Sequence, residues 1–414
     1  MNKIGWNGPT RRQGLLGTLG LGLAATPLAA PFIGGAAAAE PIRIGLVLAK
    51  QGAMVQQTEY IAQGTYLALQ QNPTVLGRTV ELTWLDEPDP QAAQQNMQKL
   101  IEEQKVVAVL GGGLSANALA MSAAANRAKI PYIANNAAAR EITGKDCNRY
   151  TFRVQPSVPV QTRAIAPYLS KLGKKWYFLT ASYAFGQDIL RSFRAVLKEQ
   201  GGTEVGTDEV PLNTPDYSSF ILKIRQAKPD VVVGGLAASD ISTFLKQWNE
   251  LGMRGRIPFA EIAIGDTDIW SVGPAASGVY SKPWYFNDPN NSPADRAFAE
   301  AYRAKHSRPP ADKAWMGWLA MRSLLESIEL AGSTAPEAIV DGLERWRAMD
   351  GDLPMYYRNW DHQMLHRTLV VEVRPKIADQ WDYFEVRESF PRDQPALEAA
   401  FGAPEEIGCR MGAL

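Results

Sequence analysis

The run VVAVLGGGLSAN at 106–117 carries the spacing with the most chemical content in the chain. Gly111, Gly113 and Ala116 fit the G-x-G-x-x-A pattern that turns a strand into a helix beneath a dinucleotide pyrophosphate. That pattern also needs an acid closing the next strand, about 20 residues on, to hold a ribose. Here the chain reads PYIANNAAA, with Asn135 and Asn136, so no nucleotide cofactor is expected. The physical part of the motif survives. Glycines let a ligand approach the backbone, and N–H groups at a helix N-terminus favour an anionic group such as a carboxylate. Ser115 is then a donor at that site, a plain helix cap being the competing reading.

Two other clusters sit where ligands bind open α/β sheets, after the C-terminal ends of strands. Tyr183 and Phe185, in ASYAFGQD, follow the strand pattern WYFLT and offer an aromatic wall. Glu261, Asp266 and Asp268 follow RIPFA and are candidates for holding an amine, although each alone also fits a solvated acid. Catalysis has little support. Of His306, His362 and His366, the last two are four apart, but DHQMLHR leads straight into a strand, so they need not share a helix face as metal ligands. No G-x-S-x-G or HExxH occurs, and neither cysteine has a partnered base nearby. We assign no catalytic residue, no metal and no cofactor, and expect a protein that is not an enzyme.

The elements that must position these residues come from a chain of 414 residues, 46% hydrophobic, long enough for two packed domains. Its 43 basic and 43 acidic residues leave no strong field to attract nucleic acid or an anionic membrane, and neither is an expected partner. Residues 1–39 read as an export signal: a polar start, Arg11 and Arg12, an apolar stretch broken by glycine and proline, and AAAA before Glu40. TRRQGLL resembles a twin-arginine signal, with Gly14 where a bulky apolar residue is usual, so general secretion stays open. Cleavage is expected near Ala39, leaving 40 basic and 43 acidic residues, a charge of −3. No later run reaches 18 uninterrupted apolar residues. Cys147 and Cys409 are expected to pair in an oxidising compartment and pin the C-terminal tail.

Beyond residue 41, short β-rich runs alternate with helical patterns, which implies parallel sheets covered on both faces. Strands at 42–134 form one group and those at 176–261 another, with YTFRVQPSVPVQ crossing between them as a hinge. The pattern then turns helical to about residue 347, and TLVVEV is a late strand.

In their order and spacing, IRIGLVL, WLDEPDPQAAQQNMQKLIEEQKVVAVLGGGLSA, IPYIANNAAA with YTFRVQPS, SYAFGQD, PDYSSFILKIRQAKPDVVVGG and SGVY carry a likeness over essentially the whole mature chain. They resemble the branched-chain amino acid (Leu/Ile/Val) binding proteins of ABC transporters, which have the type I periplasmic binding fold. The resemblance implies an α/β protein of two doubly wound parallel-sheet lobes joined by a multi-strand hinge. It places one lobe at 40–154 plus about 285–365, the other at 155–284 plus about 366–385, and a tail at about 386–414. It also implies a periplasmic, monomeric solute-binding component of an importer, whose partners are a small-molecule ligand and an inner-membrane ABC permease. Ser115 and the groups from Asn136 to Ala138 would hold a ligand carboxylate, although relatives that bind amino acids usually have Ser or Thr where this chain has Ala138. Phe185, with Tyr183 beside it, would cover the ligand, and the amine-binding acid falls near Glu261 to Ala263. The loop AKQGAMVQQTEY should also reach the site, with no contact residue assigned. If Glu261 points elsewhere, an aromatic or short organic acid fits better than an amino acid, because a buried ammonium needs a paired acceptor. The alternatives are a ligand sensor docking on a membrane receptor and an exported redox enzyme.

Overall fold

The computed structural model describes residues 39–236, 239–262 and 264–412; the export segment and its processing lie outside them, as does Ala263. The first lobe begins with β1 (Ile42–Val47), α1 (Val55–Gln71), β2 (Thr74–Val75), β3 (Arg78–Leu85), α2 (Pro90–Glu102), β4 (Ala108–Gly111), α3 (Ser115–Ala128), β5 (Tyr132–Ala134) and β6 (Thr151–Arg153). These strands form one sheet in the order β2-β3-β1-β4-β5-β6, parallel except for the short β2. Its central strands are buried along their length, as a sheet covered on both faces requires. Local chemistry starts the helices: Asp89 caps α2 by accepting from the Ala92 N–H at 2.8 Å, with Pro90 at its first position.

The second lobe contains α4 (Val158–Leu172), β7 (Lys175–Ala181), α5 (Ala184–Glu199), β8 (Thr203–Val210), α6 (Ser218–Ala227), β9 (Val231–Gly235), α7 (Ser239–Glu250), β10 (Phe259–Ile262), α8 (Asp266–Val272) and β11 (Val279–Lys282). The chain then returns to the first lobe with α9 (Pro293–His306), α10 (Asp312–Ala331) and α11 (Pro336–Arg345). Phe298, Trp315 and Trp318 from these helices share one core with Ile42, Ile44 and Leu46 of β1. A small antiparallel sheet follows, made by β12 (Arg347–Asp350), β13 (Leu353–Tyr357) and β14 (Met364–Leu365). The helical reading to residue 347 left this hairpin unread.

Finally β15 (Thr368–Val373) and β16 (Phe384–Phe390) join the second sheet, whose order is β16-β15-β11-β10-β9-β7-β8. The expected parallel sheet is therefore parallel from β8 to β11 and antiparallel at its β15–β16 edge. β6 pairs with β5 as an edge strand of the first sheet, and the crossing begins only after it. Three chain crossings thus join the lobes: after β6, after β11 and before β15.

Both histidines considered as metal ligands are locked into this crossing region. His362 stacks on Phe152 at 3.8 Å between ring centroids, with Nε2 at 2.9 Å from Glu344. His366 places Nδ1 and Nε2 against the carbonyls of Arg367 and Val154. Their ring nitrogens are engaged in holding hinge strands.

The tail is closed by two four-residue helices, α12 (Leu397–Ala400) and α13 (Pro404–Ile407), and by the Cys147–Cys409 disulfide. The bond spans 262 positions, for which loop-closure entropy predicts a contribution of roughly 5 kcal/mol at most. Replacing both cysteines with serine is expected to cost about 2–5 kcal/mol in urea unfolding, with the larger part of the loss seen also on reduction of the wild type.

Candidate functional site

The two sheets aim the C-terminal ends of their parallel strands at a common cleft, and every segment lining it follows such an end. From the first lobe come Met54 and Gln57 after β1, Gly113 to Ser115 after β4, and Asn136 to Ala138 after β5. From the second come Tyr183 and Phe185 after β7, Leu236 and Ile241 after β9, and Ile264 and Asp268 after β10. Together they bound about 470 Å³ of empty space, part of it open to solvent.

The β4–α3 turn is shaped by its glycines. Gly112 has φ +85, and a Cβ there would lie 2.4 Å from the Tyr132 hydroxyl. A Cβ on Gly113 would lie 2.5 Å from Glu87 Oε1, the atom that accepts the Gly113 N–H at 2.6 Å. Glu87 is 2% exposed, and burial pushes its carboxyl up to about 8 against the pull of the backbone donors. Glu87 braces the turn from beneath.

Ser115 opens α3, and its Oγ accepts from the Ala139 N–H at 3.3 Å. Asn136 Nδ2 donates to the Gly113 carbonyl at 2.8 Å, which ties the two lining loops of this lobe together. Among the described residues, Asn136 Oδ1 has no hydrogen-bond partner, and across the cleft neither does the Tyr183 hydroxyl. The loop is held further by Arg153, which donates to the Ala139 carbonyl, and by the Val158 N–H, which donates to the Ala138 carbonyl.

Five sequence-derived candidates, Ser115, Asn136, Ala138, Tyr183 and Phe185, come together in this lining. Glu261 does not. It lies on β10, 1% exposed, on the face shared with Phe259, and its Oε2 would be 2.6 Å from a Cβ on Gly234 of the neighbouring strand. Burial raises its carboxyl far above the usual range. Of the three acids considered for an amine, Asp268 is the one at the cleft. Its Oδ2 accepts from Gln57 Nε2 at 2.8 Å and from the Gly265 N–H at 2.9 Å. Burial lifts its pKa to about 6, with those two donors opposing the rise, so it is ionised at neutral pH.

Gln57 and Asp268 come from different lobes, so their hydrogen bond bridges the cleft. Arg140 and Asp188 bridge it again, through the Arg140 N–H at 2.8 Å and an ion pair. The early loop therefore contributes Met54 and Gln57, neither of which its composition marks out. No Lys or Arg lines the cleft among the described residues. An anionic ligand group would depend there on neutral donors and the α3 N-terminus. Ser115 has no histidine beside it, because two of the three histidines are in the crossing region and His306 is on α9.

The sequence model of the family described as "Periplasmic binding protein" matches residues 41–379. The chain belongs to the periplasmic binding protein family. This periplasmic binding protein is 27% identical over 345 residues to "Leu/Ile/Val-binding protein homolog 8" of Brucella abortus, covering 78% of this chain and 84% of that one. Among solved structures it resembles a periplasmic binding protein from Burkholderia mallei, with 25% identity and a TM-score of 0.80 over 89% of this chain and 98% of that one. A solute-binding protein of an ABC transporter from Rhodopseudomonas palustris, in complex with 3,4-dihydroxybenzoic acid, shares the fold. It has a TM-score of 0.78 at 23% identity, over 84% of this chain and 97% of that one. The binding protein thus has the type I architecture, two α/β lobes around an interlobe cleft.

Proposed function

We propose that this chain is the solute-capturing component of an ABC importer and hands its ligand to an inner-membrane permease. The ligand is a small carboxylate-bearing molecule: a neutral or branched-chain amino acid, or an aromatic or short organic acid. The observation that carries this reading is a cleft lined from both lobes, with a helix N-terminus and Ser115 on one wall and aromatic and aliphatic side chains on the other. In this reading Ser115 and the backbone from Asn136 to Ala138 receive the carboxylate, and Phe185 with Tyr183 covers the ligand body. Asp268 is better placed than Glu261 to meet an amine, because it lines the cleft and is ionised at neutral pH. The Brucella relatives named for leucine, isoleucine and valine and the dihydroxybenzoate-bound neighbour support the two ligand classes. No bond is broken: the ligand shifts the lobes toward closure by the contacts it makes only in the closed form.

The test is a thermal-shift panel of neutral amino acids, aromatic acids, short carboxylates and amides. A true ligand is expected to raise the melting temperature by about 2 °C at a tenfold excess over its Kd. Ser115→Ala should weaken that ligand about tenfold or more, the value of one hydrogen bond to a charged group, while leaving the ligand-free melting temperature near that of the wild type. A broad panel without a single shift would defeat the solute-capture reading.

A further inference from the structure

A second cavity, with a lining distinct from that of the cleft, lies between the first crossing segment and the C-terminal tail. It bounds about 340 Å³ of empty space, part of it open to solvent. Arg140, Arg153 and Arg358 line it with Asp361, Glu406, Thr143 and Ser157, and Phe401 and Ile407 close it from the tail. Arg153 is the unusual member, 1% exposed. Its Nε donates to Gln363 Oε1 at 2.7 Å, Nη1 to the Ala139 carbonyl at 2.5 Å and Nη2 to Thr143 Oγ1 at 2.5 Å. All three acceptors are neutral.

The acids around the cavity are engaged by other arginines. Asp361 binds Arg358 at 2.6 Å, Glu141 binds Arg191 at 2.9 Å, Glu406 pairs with Arg163, and Asp188 pairs with Arg140. Exposed Glu398 reaches Arg358 at 3.5 Å. Among the described residues, no carboxylate lies within ion-pair distance of Arg153. A buried charge without a direct ion-pair partner is costly; burial draws the Arg153 pKa down to about 10, with the more distant charges of Asp361, Asp188 and Glu141 opposing the fall. A guanidinium has five N–H groups, so Arg153 keeps donor capacity beyond its three neutral acceptors.

We propose that this cavity is a binding site for a small inorganic anion, which neutralises Arg153 and is also contacted by the Thr143 and Ser157 hydroxyls. The anion ties the tail to the crossing segment, beside the Ala139 carbonyl that Arg153 already holds. The proposal is independent of which solute the cleft takes.

Crystals of the exported protein soaked in sodium bromide, and separately in sodium sulfate, test it directly. The expected result is an anomalous bromine peak, or tetrahedral sulfate density, about 3–3.5 Å from an Arg153 side-chain nitrogen. Water alone in the cavity in both soaks would overturn it. In solution, the chloride-35 NMR line is expected to broaden with the wild type, and that broadening to vanish in Arg153→Met. Where that variant does not fold, Thr143→Val is measured instead and should weaken the broadening at least threefold. Undiminished broadening in a folded variant would overturn the proposal even if a bromide peak were present. At constant ionic strength, replacing gluconate by chloride at a tenfold excess over Kd should raise the wild-type melting temperature by about 2 °C.

Discussion

Lys282→Met is expected to destabilise the protein by about 3–5 kcal/mol, because it would leave the buried Asp266 and Asp312 carboxylates with only Lys313, whose Nζ lies 4.0 Å from Asp312, as a nearby cation. Lys282, Asp266 and Asp312 are all fully buried, with the Lys282 Nζ at 2.9 Å from Asp266 and 3.5 Å from Asp312. The lysine also lies over the Phe384 ring at 5.0 Å. The two acids are bound to each other's backbone: the Asp312 N–H donates to Asp266 at 2.7 Å, and the Asp266 N–H to Asp312 at 3.0 Å. Asp266 begins α8 of the second lobe and Asp312 begins α10 on the first, so this ionic group joins the lobes where β11 ends. Methionine keeps most of the side-chain volume, so the loss reads the charge rather than a cavity. Urea unfolding of Lys282→Met, and of Lys282→Met with Asp266→Asn, checks the argument. The double variant should recover part of the loss, since one of the stranded charges is gone. A single-variant loss below 1 kcal/mol would mean that the lysine is not compensating the acids.

Glu87→Gln should reshape the pH dependence of stability. In the fold this carboxyl is raised to about 8, from an ordinary value of 4.5. Below pH 4.5 it is protonated whether the chain is folded or not, and contributes no difference. Between 4.5 and 8 the unfolded chain releases a proton that the folded chain keeps, so stability falls as pH rises, by about 1.4 kcal/mol per unit, and levels off above 8. Glutamine keeps an oxygen for the Gly113 N–H and cannot ionise. The variant should therefore match the wild type near pH 4.5 and exceed it by about 3–5 kcal/mol at pH 8. Denaturant melts at pH 5, 6, 7 and 8 measure this. Asp268, raised to about 6, adds a slope of the same sign to both proteins over a lower window, so their difference isolates Glu87. Parallel stability curves would show that Glu87 is ionised in the fold.

How far the site could be read from sequence depended on strand ends. Ser115, Asn136, Ala138, Tyr183 and Phe185 each follow an apolar run within a few residues, and parallel sheets bring such positions to one edge. Met54, Gln57, Ile241 and Ile264 carry no such mark, because their place depends on how helices and loops pack after the strands are set. The choice between Glu261 and Asp268 turned on direction. A strand side chain alternates faces, and Glu261 shares the face of Phe259 rather than the end of the strand. Asp268 projects from the first turn of α8, where Gln57 meets it from the other lobe. The β12–β13 hairpin did leave a signal in its Gly351–Asp352 loop, with Gly351 at φ +57, but the helical rhythm before it masked the change of period. The Lys282 group left none, since its three members come from separate elements and only the tertiary fold brings them together.

The most direct measurement is a crystal structure of the protein with the tightest ligand from the panel. One ligand molecule is expected between the lobes, its carboxylate within hydrogen-bond distance of Ser115 and the start of α3, and its body against Phe185. A ligand bound outside this cleft, or a carboxylate turned toward Asp268 and away from α3, would contradict this placement.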